Sequence, residues 1–411
     1  MNKQALLSLD DALELLLGFS ASLPADEVVS IFDADHRVLA EDIYSKIEVP
    51  AFDNSAMDGY AFKHSDFLKS GGILKIGNRI PAGSSPVNLT PGQADRIFTG
   101  APMPKGADTV VMQEECEILE NGHIQIHAQP KAGQCVRHKG EDISLNSKIL
   151  FRGQRLHPSA IGLAASIGLA KIKVTVRPKV ALFSTGDELV MPGEIEPENM
   201  KPGAIYNSNR FFLKALLIRL GCDVSDFGIL PDDFTETTKA FSIAANSHDL
   251  ILTSGGVSVG EEDHVKPAVQ SLGQLNLWSL AIKPGKPFAY GQIIHPTKLT
   301  HFIGLPGNPV SSYITFLLLA KPFILKLQGA NGTHLSSFPM RADFAWPKAD
   351  KRREFLRVKR NERGGLDIFE NQSSGVLTSV VWADGVVDNP PGKVINPGDE
   401  VNFIPFTNWM S

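Results

Sequence analysis

Residues 180–188 read Val-Ala-Leu-Phe-Ser-Thr-Gly-Asp-Glu, and residues 250–263 read Leu-Ile-Leu-Thr-Ser-Gly-Gly-Val-Ser-Val-Gly-Glu-Glu-Asp. Each starts as a short apolar run and ends in a glycine loop followed by acids. An apolar run of that length, stopped by glycine, predicts a strand buried on both faces. Between the two, residues 207–220 read as a helix stopped by Gly221, residues 223–230 as a strand and residues 234–245 as a second helix. Strands alternating with helices of this length imply a three-layer α/β domain around a mostly parallel sheet. A last helix at 310–327 closes the unit.

In an open sheet of this kind, ligands bind where strands end and loops begin. Three such ends carry carboxylates: Asp187 and Glu188, then Asp232 and Asp233, then Glu261, Glu262 and Asp263. Any one of these acids taken alone could equally be solvated or cap a helix. If the strands are neighbours, the acids converge on one crevice, and converging carboxylates repel unless a cation sits between them. Hard oxygen ligands suit Mg²⁺ or Ca²⁺, and Mg²⁺ is the usual ion beside phosphates.

The loop from Ser254 through Gly255 and Gly256 to Gly260 lets backbone approach a ligand closely, and its N–H groups suit a phosphate. No Gly-Lys-Ser/Thr follows, so it is not a Walker A loop. Gly256 to Gly260 also fits G-x-S-x-G, but Ser258 lies well past the strand end, which favours ligand contact over a nucleophilic role. Lys283-Pro284-Gly285-Lys286-Pro287 sets two lysines in a proline-stiffened turn, and Gly304-Leu305-Pro306-Gly307-Asn308-Pro309 leads into the closing helix. Two rigidly held ammonium groups suit an anion, although surface lysines are more often simply solvated. Pro309 fits a helix start without further cause.

Upstream, Ser8 can cap a helix carrying Leu9, Leu13, Leu16 and Leu17, and residues 24–47 read as a short helix and extended chain. Residues 50–140 change texture. Apolar runs at 73–76, 109–112 and 124–126 alternate with Gly, Pro and Asn clusters, the pattern of a β-rich domain. Three of its loops are dense in polar groups: 53–60 with Asp53 and Asp58, 96–102 with Arg96 and Thr99, and 137–142 with Arg137, His138, Lys139, Glu141 and Asp142. Each would pass as an ordinary turn if seen alone. Residues 159–176 return to a helix and a strand. From residue 329 onward, short strands and Pro/Gly turns predict a small β-barrel or sandwich.

Bulk properties narrow the function. A net charge of −5 with no basic run disfavours nucleic acid. The three cysteines, Cys116, Cys135 and Cys222, form no CxxC pair, which disfavours a disulfide framework or zinc site and suits a reducing compartment. Asp10, Asp11 and Glu14 interrupt any leader-like run, and the apolar stretch 316–325 is too short to span a bilayer. A cytoplasmic protein without a membrane or nucleic-acid partner is expected. Among the eleven histidines there is no HExxH pair.

The physical reading stops at magnesium-dependent handling of a phosphorylated anion. The residues go further. FDNSAMDGYA at 52–61 resembles the molybdopterin molybdenumtransferases, the MoeA and gephyrin E-domain family. So, in the same order, do RIFTGAPMPKGADTVVMQEE at 96–115, GEDI at 140–143, ALFSTGDEL at 181–189, TSGGVSVGEED at 253–263, IKPGKPFAYG at 282–291 and GLPGNPVSS at 304–312. The resemblance implies an elongated four-domain subunit in a homodimer. Residues 24–49 with 141–177 would form an α+β linker domain, 50–140 a β-rich domain, 1–23 with 178–328 the α/β molybdopterin-binding domain, and 329–411 a C-terminal β-barrel domain.

It also implies the reaction. Molybdate enters the dithiolene of an adenylylated molybdopterin, the phosphoanhydride is cleaved with Mg²⁺ and AMP leaves. The substrate would come from a molybdopterin adenylyltransferase. By motif position, Asp187, Glu188, Asp232 and Asp263 would be metal-binding or catalytic acids. Ser254, Gly255, Gly256, Ser258, Lys283, Lys286, Pro306 and Pro309 would bind the anionic substrate, with Ser374 a further contact. Asp58, Thr99, Arg137 and Asp142 would reach the same cleft from the partner subunit. Ser279 departs from the pattern, standing where relatives often carry a lysine, and His138 and Lys139 stand where arginines are common. Two other functions share parts of this pattern. A molybdopterin adenylyltransferase has the α/β core but not the flanking domains, and a dimeric peptide-binding scaffold would tolerate loss of the acids.

Overall fold

In the computed structural model the protein is described at residues 6–257, 264–296, 298–332 and 336–407. Its centre is a six-stranded sheet in the order Asp223–Leu230, Lys179–Thr185, Leu250–Ser254, Lys298–Leu305, Pro287–His295, Gly273–Ser279. The first four strands run parallel, Pro287–His295 runs against them, and Gly273–Ser279 pairs antiparallel with Pro287–His295. Burial on both faces follows from alternation. Val180, Leu182, Leu250 and Leu252 enter one core with the helices Leu9–Gly18, Ser208–Arg219 and Pro309–Leu327. Ala181, Phe183 and Ile251 enter the other with helices Phe234–Ser247 and Val265–Leu272. This is the three-layer, mostly parallel domain expected. The antiparallel pair and strand Lys298–Leu305 were not anticipated.

The closing helix Pro309–Leu327 is, among the described residues, the one segment long and apolar enough to cross a bilayer, and 89% of its most apolar window is buried inside the protein. It opens into a π-helical turn over Phe316–Ala320 before resuming at Lys321–Leu327. Pro322 explains the widened turn, because it has no N–H to donate and its ring would strike the carbonyl one α-turn back.

Residues 50–140 fold around a second six-stranded sheet, ordered Thr109–Met112, Gly59–Phe62, Gln93–Ile97, Ile73–Ile80, His123–Ile126, Cys116–Ile118. It has its own cores around Phe62, Phe67 and Val111, and around Ile97 and Met103. Residues 24–47 depart from expectation. They hold a strand, Asp26–Ser30, and only one 3-10 turn, Ile31–Asp33. Val28 and Val29 suit a strand, and the partner that makes it one, Lys171–Thr175, lies far along the chain.

The C-terminal segment forms a sheet ordered Ile282–Lys283, Arg353–Arg360, Gly385–Asn389, Glu400–Pro405, Phe338–Arg341, with Leu366–Ile368 also beside Arg353–Arg360. A bridge between Ala342 and Leu366 joins its two ends around Leu356, Val358, Val387 and Phe403, so the sheet closes as a small barrel. Its first strand is lent by the α/β segment.

Candidate functional site

The central sheet reverses its order between Lys179–Thr185 and Leu250–Ser254: the chain moves outward from the first to Asp223–Leu230, then back past it to Leu250–Ser254. The crevice beyond the carboxyl ends of such a pair is where ligands settle in open sheets. A cavity of about 690 Å³ lies there, lined by Thr185, Gly186 and Glu188 from the first strand end, Ser254 to Val257 from the second, Asp232 from the third and Pro306 to Pro309 before the closing helix.

Glycine is required where the second loop crosses the first strand. Gly255 has φ +99°, and a Cβ there would lie 2.7 Å from both the carbonyl oxygen and the hydroxyl of Thr185. A Cβ on Gly256 would lie 2.4 Å from Val265 Cγ2. The loop can therefore seat its backbone against the strand end only without side chains.

Of the residues singled out from sequence, Glu188, Asp232, Ser254, Gly255, Gly256, Pro306 and Pro309 line this cavity. Asp187 stands beside them, with its Oδ1 accepting from the backbone N–H of Asp232 at 3.4 Å. Ser374 adjoins the cavity through its carbonyl, which accepts from Val310 N–H at 3.0 Å, and the next residue, Gly375, is part of the wall. Ser258 and Asp263 lie outside the described residues. Among the described residues no group of three or more His, Cys, Asp or Glu side chains is close enough to hold a metal by itself. A cation here would draw on one or two of these carboxylates and on oxygens of the substrate, which is how Mg²⁺ is usually held beside phosphates.

The two lysines are not part of the cavity wall. Lys283 Nζ lies 3.0 Å from Glu354 Oε1 and 3.3 Å from Asp350 Oδ2, both in the C-terminal segment. Lys286 is exposed, next to Pro287 of the wall. Ser279 sits across from Pro287 on the neighbouring strand.

Asp58, Thr99, Arg137 and Asp142 are likewise absent from this chain's own cavity. They gather at one end of the β-rich segment. Asp58 Oδ1 accepts from the backbone N–H of Thr99 at 2.8 Å and from its hydroxyl at 2.7 Å. Those two bonds, with the nearby charge of Arg96, hold the Asp58 carboxyl below the usual carboxylate range. Gly100 N–H reaches Ser55 O, whose strand Asn54–Ser55 pairs with Val136–Arg137. Asp142 N–H donates to Val49 O at 3.1 Å. Arg137 and Asp142 are both exposed.

Sequence reasoning missed Tyr206-Asn207-Ser208-Asn209, which forms the remaining wall. Asn207 caps helix Ser208–Arg219, and Asn209 is buried in its first turn. Asn209 Nδ2 donates to Ser254 Oγ and to Gly307 O, each at 2.7 Å. An asparagine cap followed two residues later by a second asparagine, inside a helix too polar at its start to be plain core, was the available signal.

A mostly parallel α/β sheet with acids and glycine backbone meeting at its switch point defines a binding domain for an anionic cofactor or nucleotide-like ligand. The comparisons with known proteins narrow that class. Residues 7–168 match the model for the MoeA N-terminal region (domains I and II), 181–326 that for a probable molybdopterin binding domain, and 339–406 that for the MoeA C-terminal region (domain IV). The chain is 41% identical over 415 residues to a molybdopterin molybdenumtransferase of Haemophilus influenzae, covering 98% of this chain and 100% of the relative. It is 36% identical over 387 residues to one from Nostoc sp., covering 91% and 87%. A molybdopterin biosynthesis moeA protein from Pyrococcus horikoshii OT3 superposes with a TM-score of 0.83 at 28% identity, over 98% of this chain and 100% of that one. The chain belongs to the MoeA family, the molybdopterin molybdenumtransferases, enzymes of molybdenum cofactor biosynthesis.

Proposed function

We propose that the protein inserts molybdate into the dithiolene of adenylylated molybdopterin and releases AMP in a Mg²⁺-dependent reaction. The observation that carries this reading is the meeting of Glu188 and Asp232, with Asp187 beside them, at a cavity also lined by the backbone of Gly255 and Gly256. A phosphoanhydride is repelled by bare carboxylates. Mg²⁺ held by two of Asp187, Glu188, Asp232 and Asp263 would supply the missing positive charge and offset charge developing on the leaving phosphate. The chain's own groups then orient the substrate: Gly255 and Gly256 offer backbone to its phosphates, and Pro306 to Pro309 fix the loop against it. The attacking oxygen is water's or molybdate's.

The same reading takes the working unit to be a homodimer with a shared site. In it, Asp58, Thr99, Arg137 and Asp142 of one subunit face the cavity of the other. Their clustering away from this chain's own cavity supports that. A molybdopterin adenylyltransferase would supply the substrate, in the cytoplasm. The division of the chain at residues 50, 141, 178 and 329 belongs to this reading; the separate cores around Leu39 and Val174 and around Phe62 and Val111 support the first boundaries, whereas the main α/β core runs on into Phe355, Val386 and Ile404 beyond residue 329.

The test is AMP release from adenylyl-molybdopterin by the purified protein, with and without molybdate and Mg²⁺, beside Asp187→Ala. Release that needs both ions and is lost in the variant is expected. Folded protein that releases no AMP would sink the reading and turn attention to a binding scaffold.

A further inference from the structure

The cavity has a second polar feature that the acids do not use. Asn207 is 1% exposed and lines it. Its Oδ1 accepts from Arg210 N–H at 3.2 Å, which caps helix Ser208–Arg219 and fixes the amide's orientation. Nδ2 is thereby turned away from the helix, and it has no hydrogen-bond partner. An NH₂ group buried without an acceptor costs about 1–3 kcal/mol, so native proteins seldom leave one unless something else fills the role. Asn207, Ser208 and Asn209, the start of a twelve-residue helix, all face the same cavity. The first turn carries no acidic residue, so nothing in it neutralises the positive end of the helix. Thr185, 7% exposed and also on the cavity wall, adds a buried hydroxyl without a partner as a second polar group left over.

We propose that Asn207 Nδ2, with the first turn of helix Ser208–Arg219, forms a phosphate subsite on the wall of the cavity. The ligand is a tetrahedral phosphate ester. Its oxygens take the amide hydrogens on one side, while its other oxygens face the carboxylate side through a cation. A neutral heterocycle would not use the unneutralised helix end, and a free carboxylate would lack the oxygens to span both sides. Calling the ligand a phosphate of the adenylylated substrate rests on the proposed function; the presence of an oxyanion subsite does not. Asn209 takes no part in binding, because both its amide hydrogens already tie Ser254 and Gly307 in place.

The experiment is calorimetric titration of the full-length protein with AMP, inorganic phosphate and molybdate separately. It compares wild type with Asn207→Asp and Asn207→Ser. Both replacements cap a helix as well as asparagine does, so the thermal midpoint should hold. Losing a hydrogen bond to a charged group should weaken AMP and phosphate about 10- to 100-fold in both variants, more in Asn207→Asp, and leave molybdate binding unchanged. Unchanged AMP and phosphate affinities overturn the subsite. So does wild-type protein that binds neither at millimolar concentration. Weakening confined to molybdate overturns it too, since the wall would then serve the oxometalate. If the variants lose phosphate binding but the wild type never releases AMP in a molybdate-dependent way, the subsite stands and the transferase reading falls.

Discussion

The amide of Asn209 lies 2.7 Å from the hydroxyl of Ser254 and holds it to the helix that begins at the cavity wall. Its second hydrogen bond, to Gly307 O, draws in the proline loop. One buried side chain thus sets the spacing of two loops against the helix that carries it. Asn209→Ala should destabilise the protein by about 1–3 kcal/mol, read from urea unfolding, because it leaves the buried Ser254 hydroxyl without this partner and frees the Gly307 loop. It should also lower substrate affinity more than the stability loss alone explains, since loops free to drift by about 1 Å lose alignment.

Lys283 presents a different balance. Glu354 is 1% exposed, and its carboxylate is met by Lys283 at 3.0 Å and by Trp346 Nε1 at 2.8 Å. Lys283→Met should therefore cost about 3 kcal/mol, because the buried carboxylate loses its countercharge. Chemical denaturation measures this directly. A stable Lys283→Met protein would show that the pair contributes nothing to folding and that the lysine is kept for the ligand alone.

The bonds from Thr99 to Asp58 have a pH signature. The folded Asp58 pKa lies below its unfolded value, so its contribution to stability is present above the unfolded carboxylate pKa. That contribution is lost as pH falls through the folded value. Thr99→Val keeps the backbone N–H but removes the hydroxyl. It should raise the Asp58 pKa part of the way to normal, seen as an upward move of its carboxyl carbon titration by NMR.

A shared site can be checked by mixing. Asp58→Ala and Asp187→Ala should each be inactive alone. Unfolded and refolded together in equal amounts, half the dimers carry one of each, and each such dimer has one intact site, so about a quarter of wild-type activity should return. No recovery from well-folded mixed dimers would place both residues in one subunit's site.

Sequence alone carried the architecture well where local pattern and burial agree. The runs 180–183 and 250–252 are apolar at every position, so strand and mostly parallel sheet were legible together, while the order of the strands, and with it the switch point, came only with the fold. The run 298–305 hides the same role, because Lys298, Thr300 and His301 break its apolar signal. Thr300 is buried only because Ala245 O and His248 O accept its hydroxyl proton. In the site, the acids and glycines were visible because they recur at the ends of successive strands, where open α/β sheets bind ligands. Asn207 and Asn209 were not, because an asparagine at a helix start has an ordinary capping explanation, and only the fold reveals which of its atoms is left over. Lys283 was legible as a cation, but its nearest carboxylate, Glu354, stands 71 residues away along the chain.

The parallel pairing of Ile282 and Lys283 with Arg353 and Glu354 changes what can be exchanged between relatives. A transplant of residues 329–411 alone would leave the barrel short of an edge strand and bring a buried glutamate into a host that need not supply its lysine. The smallest heritable unit at this end of the molecule is a discontinuous one, the C-terminal segment together with the turn at 282–287. Chimeras that move the two together should fold, and chimeras that split them should aggregate along the uncovered edge.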